Sequence, residues 1–290
     1  MSDQNNDQLC RFLFKELGIR GEIITLDTTF QDALALHHYP TVVAEQLGQA
    51  LAASLLLSAT LKFDGSLILQ IQGDGPITLL VAQANKQQHV RGLAHWRDEI
   101  QSGNLSSLVA NGKLVITLKP SKGQAYQGIV NLEGETLSNA LESYFEQSEQ
   151  LKTRLWFAVN ENKAVGFLLQ ELPAQAGEKI DWERVEMLAD TVTNDELLHL
   201  TPENILHRLF HEESVTLYEP QTVQFKCDCS RKKVEAGLLT VGYEELISLL
   251  EEKGRVETHC DFCNQPYSFD AIDIEQLFHP GATGEPNVRH

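Results

Sequence analysis

Apolar and polar positions alternate or run apolar over residues 9–14 and 21–26, joined through Gly18, which predicts a strand hairpin at the start of the chain. A first helix is predicted from Thr29 and ends at His37-His38-Tyr39-Pro40, with Pro40 suited to the first turn of the next helix. That second helix, residues 41–62, is dense in Ala, Leu, Gly and Ser and has few charges, so it is predicted to be buried on several sides in the core of a large domain. A period of two returns at residues 66–72, 77–84 and 89–96, then at 113–118 and 126–132. A helix follows over 136–147 and a strand pair over 154–160 and 164–172. Gly73-Asp74-Gly75-Pro76 reads as a tight turn: no Lys-Ser/Thr pair and no helix follows, as a phosphate loop requires. The pattern defines an α+β domain built on antiparallel sheet around a buried helix.

Beyond Pro173-Ala174-Gln175-Ala176-Gly177 the character changes. Residues 178–219 carry eleven acidic and three basic side chains, yet apolar residues recur at helical spacing. One stripe is Trp182, Val185, Leu188, Ala189 and Val192 after a cap at Asp181; another is Ile205, Leu206, Leu209 and Phe210 after Thr201-Pro202. Helices this short are marginal alone and need a surface to lie on. The large domain is the only surface big enough, so this helical linker is expected to be metastable and docked there. Helices at 231–240 and 243–253, a hairpin of 256–260 with 266–269, and a last helix from Asp270 to Phe278 form a small C-terminal module, with 281–290 a loose tail. The expected organisation is an N-terminal α+β domain at 1–177, an amphipathic linker at 178–226 and a C-terminal module at 227–290.

Charge narrows the partners. The net charge is −18, and residues 227–290 hold twelve acidic against six basic residues, so the module repels phosphate and nucleic acid is not an expected partner. The acidic start Met1-Ser2-Asp3-Gln4-Asn5-Asn6-Asp7 has no secretory pattern, and the longest weakly polar stretch, residues 50–61, is about half of what a bilayer needs. A cytoplasmic protein without a membrane partner is expected. There is no G-x-S-x-G, Walker loop or dinucleotide fingerprint, and no nucleophile with a base, so an enzyme is not expected. His37 and His38 point apart on a helix and are expected to be a helix-end pair, not ligands.

The candidate chemistry lies in the cysteines. Cys10 is isolated in a predicted strand and is expected to act as a small apolar residue. Cys227-x-Cys229 and Cys260-x-x-Cys263 can each point two sulfurs at one centre, supplying the four thiolates of a closed tetrahedral zinc site. In a reducing cytosol, metal ligation is favoured over structural disulfides. With some 60 residues the module has little core of its own, so its fold is expected to depend on the metal. Arg231-Lys232-Lys233 reads as a solvated helix start that offsets the thiolate charge. On the residues alone the roles stay open. A static zinc ribbon would hold the module together, whereas a redox switch would keep oxidisable thiolates poised on the metal. A thiol-disulfide oxidoreductase acting through Cys260 and Cys263 is disfavoured, because that pair does not open a helix and the other pair would be superfluous.

Leu209-Phe210-His211-Glu212-Glu213, Tyr218-Glu219-Pro220, Val223-x-Phe225-x-Cys227-x-Cys229-Ser230-Arg231 and Cys260-x-Phe262-Cys263-Asn264-x-x-Tyr267-x-Phe269 resemble the bacterial redox-regulated heat-shock chaperones of about thirty-three kilodaltons, the 33-kDa chaperonin family. Leu61-Lys62-Phe63-Asp64-Gly65, Gly73-Asp74-Gly75-Pro76, Leu132-Glu133-Gly134-Glu135-Thr136-Leu137 and Tyr144-Phe145-x-Gln147-Ser148-Glu149-Gln150-Leu151 extend the resemblance over the N-terminal domain; Lys152 departs from it, where the family has proline. The resemblance implies a stress-response holdase that needs no ATP and is inactive while reduced, with one Zn2+ per chain on Cys227, Cys229, Cys260 and Cys263. It implies that oxidation pairs Cys227 with Cys229 and Cys260 with Cys263, releases zinc and unfolds module and linker. The opened form then binds unfolded or misfolded clients, commonly as a homodimer, until reductants and an ATP-dependent chaperone take them.

Overall fold

Gly18, at φ +60°, takes the left-handed conformation that folds β1 (Gln8–Phe14) back into β2 (Ile19–Leu26). The computed structural model describes residues 7–62, 64–97, 100, 102–173 and 181–279. The chain continues with α1 (Thr28–Leu34), α2 (Thr41–Ala59), β3 (Gly65–Gln72), β4 (Ile77–Asn85), β5 (His89–Trp96), α3 (Leu105–Val109), β6 (Lys113–Pro120) and β7 (Tyr126–Asn131). Next come α4 (Leu137–Tyr144), which runs into a π turn at Phe145–Glu149, β8 (Thr153–Val159) and β9 (Ala164–Glu171). Three short helices, α5 (Trp182–Ala189), α6 (Asn194–His199) and α7 (Pro202–Phe210), precede three short strands, β10 (Val215–Leu217), β11 (Gln221–Thr222) and β12 (Gln224–Phe225). The last elements are α8 (Arg231–Val241), α9 (Tyr243–Lys253), β13 (Val256–His259), β14 (Pro266–Phe269) and α10 (Ala271–Phe278). The result is the α+β class, divided into two compact units, Met1–Lys226 and Cys227–His290. The expected boundary at 177 and 178 and the tail at 281–290 lie outside the described residues.

In the first unit, one sheet has the order β10-β1-β2-β9-β8, with β11 also on β1; the second runs β12-β5-β4-β3-β6-β7. All these pairings are antiparallel except β12 on β5. Helix α2 packs against strands of both sheets, and every residue from Ala50 to Ser58 is buried, around its whole circumference. Its buried serines cost little, because Ser54 and Ser58 donate back to the carbonyls of Leu51 and Leu55 at 2.9 and 3.0 Å. The full 19-residue helix is longer than its apolar centre and meets the length and hydropathy of a bilayer span, but 72% of that window is buried in the protein. It stops at Ala59, three residues before the predicted end, where Thr60 and Leu61 hydrogen-bond back to Leu57 and Ser58.

The first sheet is covered on both faces. Leu9, Ile24, Leu26 and Leu168 face α2, while Phe12, Phe14, Ile19, Ile23, Phe167 and Leu169 face the other way and meet Trp182, Val185, Leu197, Ile205, Leu206, Leu209 and Phe210 of α5–α7. Aromatic rings dominate that second face: Phe14 lies edge-on to Phe210 at 4.9 Å and Trp156 stacks on Phe167 at 4.9 Å. The acidic side chains around it are tied by arginine. Arg154 of β8 meets Glu142 at 3.1 Å, Glu186 at 3.1 Å and Asp190 at 2.8 Å.

Several elements depart from the periodicity. The helix predicted over 136–147 is α4 plus the π turn, closed by Gln150 at φ +54°. Asp181 sits at the start of α5 but caps nothing with its side chain; its carboxylate takes Arg184 instead, at 2.7 Å. Helix α3 was not predicted, although Asn104 caps it by accepting from Ser107 at 3.0 Å. Nor was α6, whose capping box pairs Thr193 with Glu196. The three strands β10–β12 were missed as well.

The second unit has a small core. Among the described residues its buried cluster is Leu238, Leu246, Val256, Phe269 and Ile274. Ser230 caps α8, Gly254 ends α9 at φ +77°, and Asp270 opens α10 with a capping box.

One contact in the first sheet is tight enough to test. Phe12 lies across from Gly21, and a Cβ at Gly21 would fall 2.0 Å from the ring. Gly21→Ala should cost about 1–3 kcal/mol of stability and lower Tm by several degrees in scanning calorimetry; an unchanged Tm would show that Phe12 can leave its place freely.

Candidate metal centre

The residues ahead of α8 form an extended stretch with Cys227 and Cys229 in it, and the turn between β13 and β14 carries Cys260 and Cys263. That turn is closed by the Cys260 amide donating to the Gln265 carbonyl at 3.0 Å and the Asn264 amide donating to the Cys260 carbonyl at 2.7 Å, with Asn264 in the left-handed region at φ +54°. The four Sγ atoms lie within 4.8 Å of one another, all half-buried. Cys227 and Cys260 are 3.7 Å apart and Cys229 and Cys263 are 3.4 Å apart, across the two halves of the cluster.

These distances fit a metal. Four sulfurs each about 2.3 Å from one ion define a tetrahedron with edges of about 3.8 Å. An all-sulfur donor set selects soft or borderline ions such as Zn2+. The cluster can therefore hold a metal ion, and nothing in its geometry leaves a place for a substrate. Cys10 belongs to the first unit and is buried in β1, where burial pushes its thiol up to about 11.

The surroundings are mixed. At Cys229 burial pushes the thiol up, but hydrogen bonds from the Tyr267 hydroxyl at 3.2 Å and from the other thiols outweigh it and the net shift is downward. Burial raises Cys260, against the pull of the amides of Cys263 and Phe262, and raises Cys263, against the amide of Gln265. The hydrogen bond to Cys229 carries Tyr267 up to about 12. Tyr267 is a supporting residue that the cysteine spacing alone missed; its position four residues after Cys263 on β14 was the available signal. The expected offset by basic residues takes another form. Arg231 pairs with Glu235 at 3.3 Å and Asp273 at 2.7 Å and stacks over Phe269, while Lys233 pairs with Asp228, so these cations serve the helix start and its neighbours.

An α+β unit followed by a small unit with an all-cysteine cluster defines a class of protein, and comparison with known sequences places the chain within it. The family model described as Hsp33 protein matches residues 7–270. Proteins named 33 kDa chaperonin are 53% identical in Nitrosococcus oceani, over 94% of this chain and 95% of that one, and 46% identical in Serratia proteamaculans, over 99% of both. The crystal structure of the 33 kDa chaperonin of Thermotoga maritima shares the fold, with a TM-score of 0.82 at 24% identity over 93% of this chain and 97% of that one. The chain belongs to the Hsp33 family. Membership brings a chaperone function, with unfolded proteins as clients, and the family is not a known enzyme family.

If the cluster is the metal site, each ligand matters more than its neighbours. Cys227→Ser or Cys263→Ser should weaken Zn2+ binding by the reduced protein at least a hundredfold, and Tyr267→Phe by about tenfold, in competition with a chromogenic chelator. Tight metal retained by Cys227→Ser would place the site elsewhere.

Proposed function

We propose that the protein is a cytoplasmic, redox-regulated holdase that acts without ATP, closed while Cys227, Cys229, Cys260 and Cys263 hold one Zn2+ and opened when they are oxidised. The observation that carries this reading is a four-cysteine cluster in a unit whose buried core, among the described residues, is five side chains. When bound, zinc keeps the sulfurs as thiolates and contributes on the order of 10–16 kcal/mol to modules of this kind, as much as the about 5–15 kcal/mol that stabilises a whole domain. Oxidation of Cys227 with Cys229 and of Cys260 with Cys263 removes two electrons per disulfide, four in all, to a peroxide- or hypochlorite-class oxidant. No thiolate remains to hold an ion.

The pairing decides the outcome. Bonds within each local pair close very small loops and leave the rest of the unit free to unfold. Bonds across the cluster, Cys227 to Cys260 and Cys229 to Cys263, would close loops of more than thirty residues and hold the unit together. A switch that works by unfolding needs the local pairs.

The linker at 178–226 then acts as the lock on a substrate-binding and dimerisation domain at 1–177, and 227–290 as the redox-switch domain. Helices α5–α7 cover an aromatic face of the first sheet, and a set of short helices under high acidic charge has little stability away from it. The arginine pairs that hold them are partly exposed, so they contribute little. Release uncovers Phe12, Phe14 and Phe167, a surface suited to unfolding proteins. Dimerisation of the opened form and handover of clients to an ATP-dependent chaperone complete the proposal.

Two measurements test it. Light scattering by a heat-unfolding protein should be suppressed by the oxidised form and not by the reduced form, with zinc released and peptide mapping showing the local disulfides; equal suppression in both states defeats the switch. Leu209, 4% exposed beneath α7, is part of the docked face. Leu209→Glu buries a charge there and should make the reduced protein suppress aggregation at least severalfold better; a folded variant that stays inert would show that docking does not inhibit.

A further inference from the structure

Residues 221–226 form one extended run bonded to both sheets of the first unit. Gln221 and Thr222 pair antiparallel with Leu9 and Gln8 of β1, and Gln224 and Phe225 pair parallel with His89 and Val90 of β5. Between and after them, the amide of Val223 donates to the Asp7 carbonyl at 3.0 Å, that of Gln224 to Gln88 at 3.1 Å and that of Lys226 to Val90 at 2.9 Å. Val223 is fully buried in the main core and Phe225 packs half-buried against it, whereas Gln224 between them is exposed. The seam therefore holds its occupant by backbone hydrogen bonds and by two apolar side chains at alternate positions.

Nothing in that recognition is particular to this segment. Any extended chain with aliphatic or aromatic residues two apart, and no proline at the donating positions, presents the same atoms. Gln88, whose carbonyl takes the Gln224 amide, is 4% exposed and stands at φ +60°, a backbone conformation that its surroundings must hold. Strand β10 extends the arrangement by pairing with Phe12–Phe14, so departure of β10 and β11 would leave β1 with an open edge from Gln8 to Phe14. The pairings that close the seam are only two residues each, and the run ends at the residue before Cys227.

We propose that this seam between β1 and β5 is a client-binding groove. An unfolding polypeptide adds to it as an extended strand with alternating apolar residues, and residues 221–226 are the chain's own stand-in, seated there in the closed state. The assignment rests on the reading that the oxidised protein is open and binds unfolding chains. A tethered stand-in competes at an effective concentration of the order of millimolar, so a free peptide sees the groove only in the fraction of molecules from which the run has left.

The test uses the full-length protein and a fluorescent peptide of residues 219–226, with a control N-methylated at the amides of Val223, Gln224 and Lys226. The parent peptide should bind the oxidised form at least about tenfold tighter than the reduced form, and should restore the aggregation of a heat-unfolding protein that the oxidised form otherwise suppresses. The methylated control keeps every side chain and should bind at least tenfold more weakly. If the oxidised form suppresses aggregation but the parent peptide neither binds nor competes, or the methylated peptide competes equally, the groove is overturned while the holdase reading stands. If neither redox state suppresses aggregation, the holdase reading fails and the groove falls with it.

Discussion

Four sulfur atoms within 4.8 Å of one another are a tolerable arrangement as thiols and a repulsive one as thiolates. Two unit charges about 4 Å apart interact at about 4 kcal/mol in a surface-like dielectric, and four thiolates have six such pairs. Only a bound cation makes the ionised cluster favourable, and a unit with so few buried apolar side chains has little else to hold it. Tyr267 and the turn amides of Phe262, Cys263 and Gln265 aim donors at the sulfurs, which favours the thiolate state the cation requires. The same donors would be idle around disulfides.

The first unit holds its parts with unequal strength. Helix α2 is enclosed by two sheets whose central strands pair over seven or eight residues, an arrangement that opens only with the whole fold. The segment from α5 to β12 is built differently, from helices of six to nine residues and strands of two or three. It covers one face of the first sheet and an edge of each sheet. Few backbone bonds and one apolar face per helix make it the least costly part of the unit to release.

Strand β12 brings the chain to Lys226, and the next residue is the first cysteine of the cluster. In a family whose members are chaperones, the two-residue pairings of β11 and β12 thus stand next in sequence to the four-cysteine cluster.

Much of this was legible in local pattern. The apolar, charge-poor character of residues 41–62, the alternation of β3–β5, the hairpin of β13 with β14 and the grouping of four cysteines follow from spacings of a few residues, because side-chain period and metal-ligand reach are local quantities. Capping signals were equally local, and Asn104 and Thr193 with Glu196 were there to be read. Tertiary structure alone decided the rest. A strand of two residues has no period, so β11 and β12 exist only because β1 and β5 leave edges beside them. Asp181 and Arg231 look from the chain like a cap and a counter-ion to thiolates; their partners became Arg184 in one case and Asp273, Glu235 and the Phe269 ring in the other, through packing and ion pairs that no local rule ranks. The linker's docking face was visible as stripes. Which face of which sheet received them depended on Gly21 making room for Phe12, and on Phe14 meeting Phe210 across nearly two hundred residues of chain.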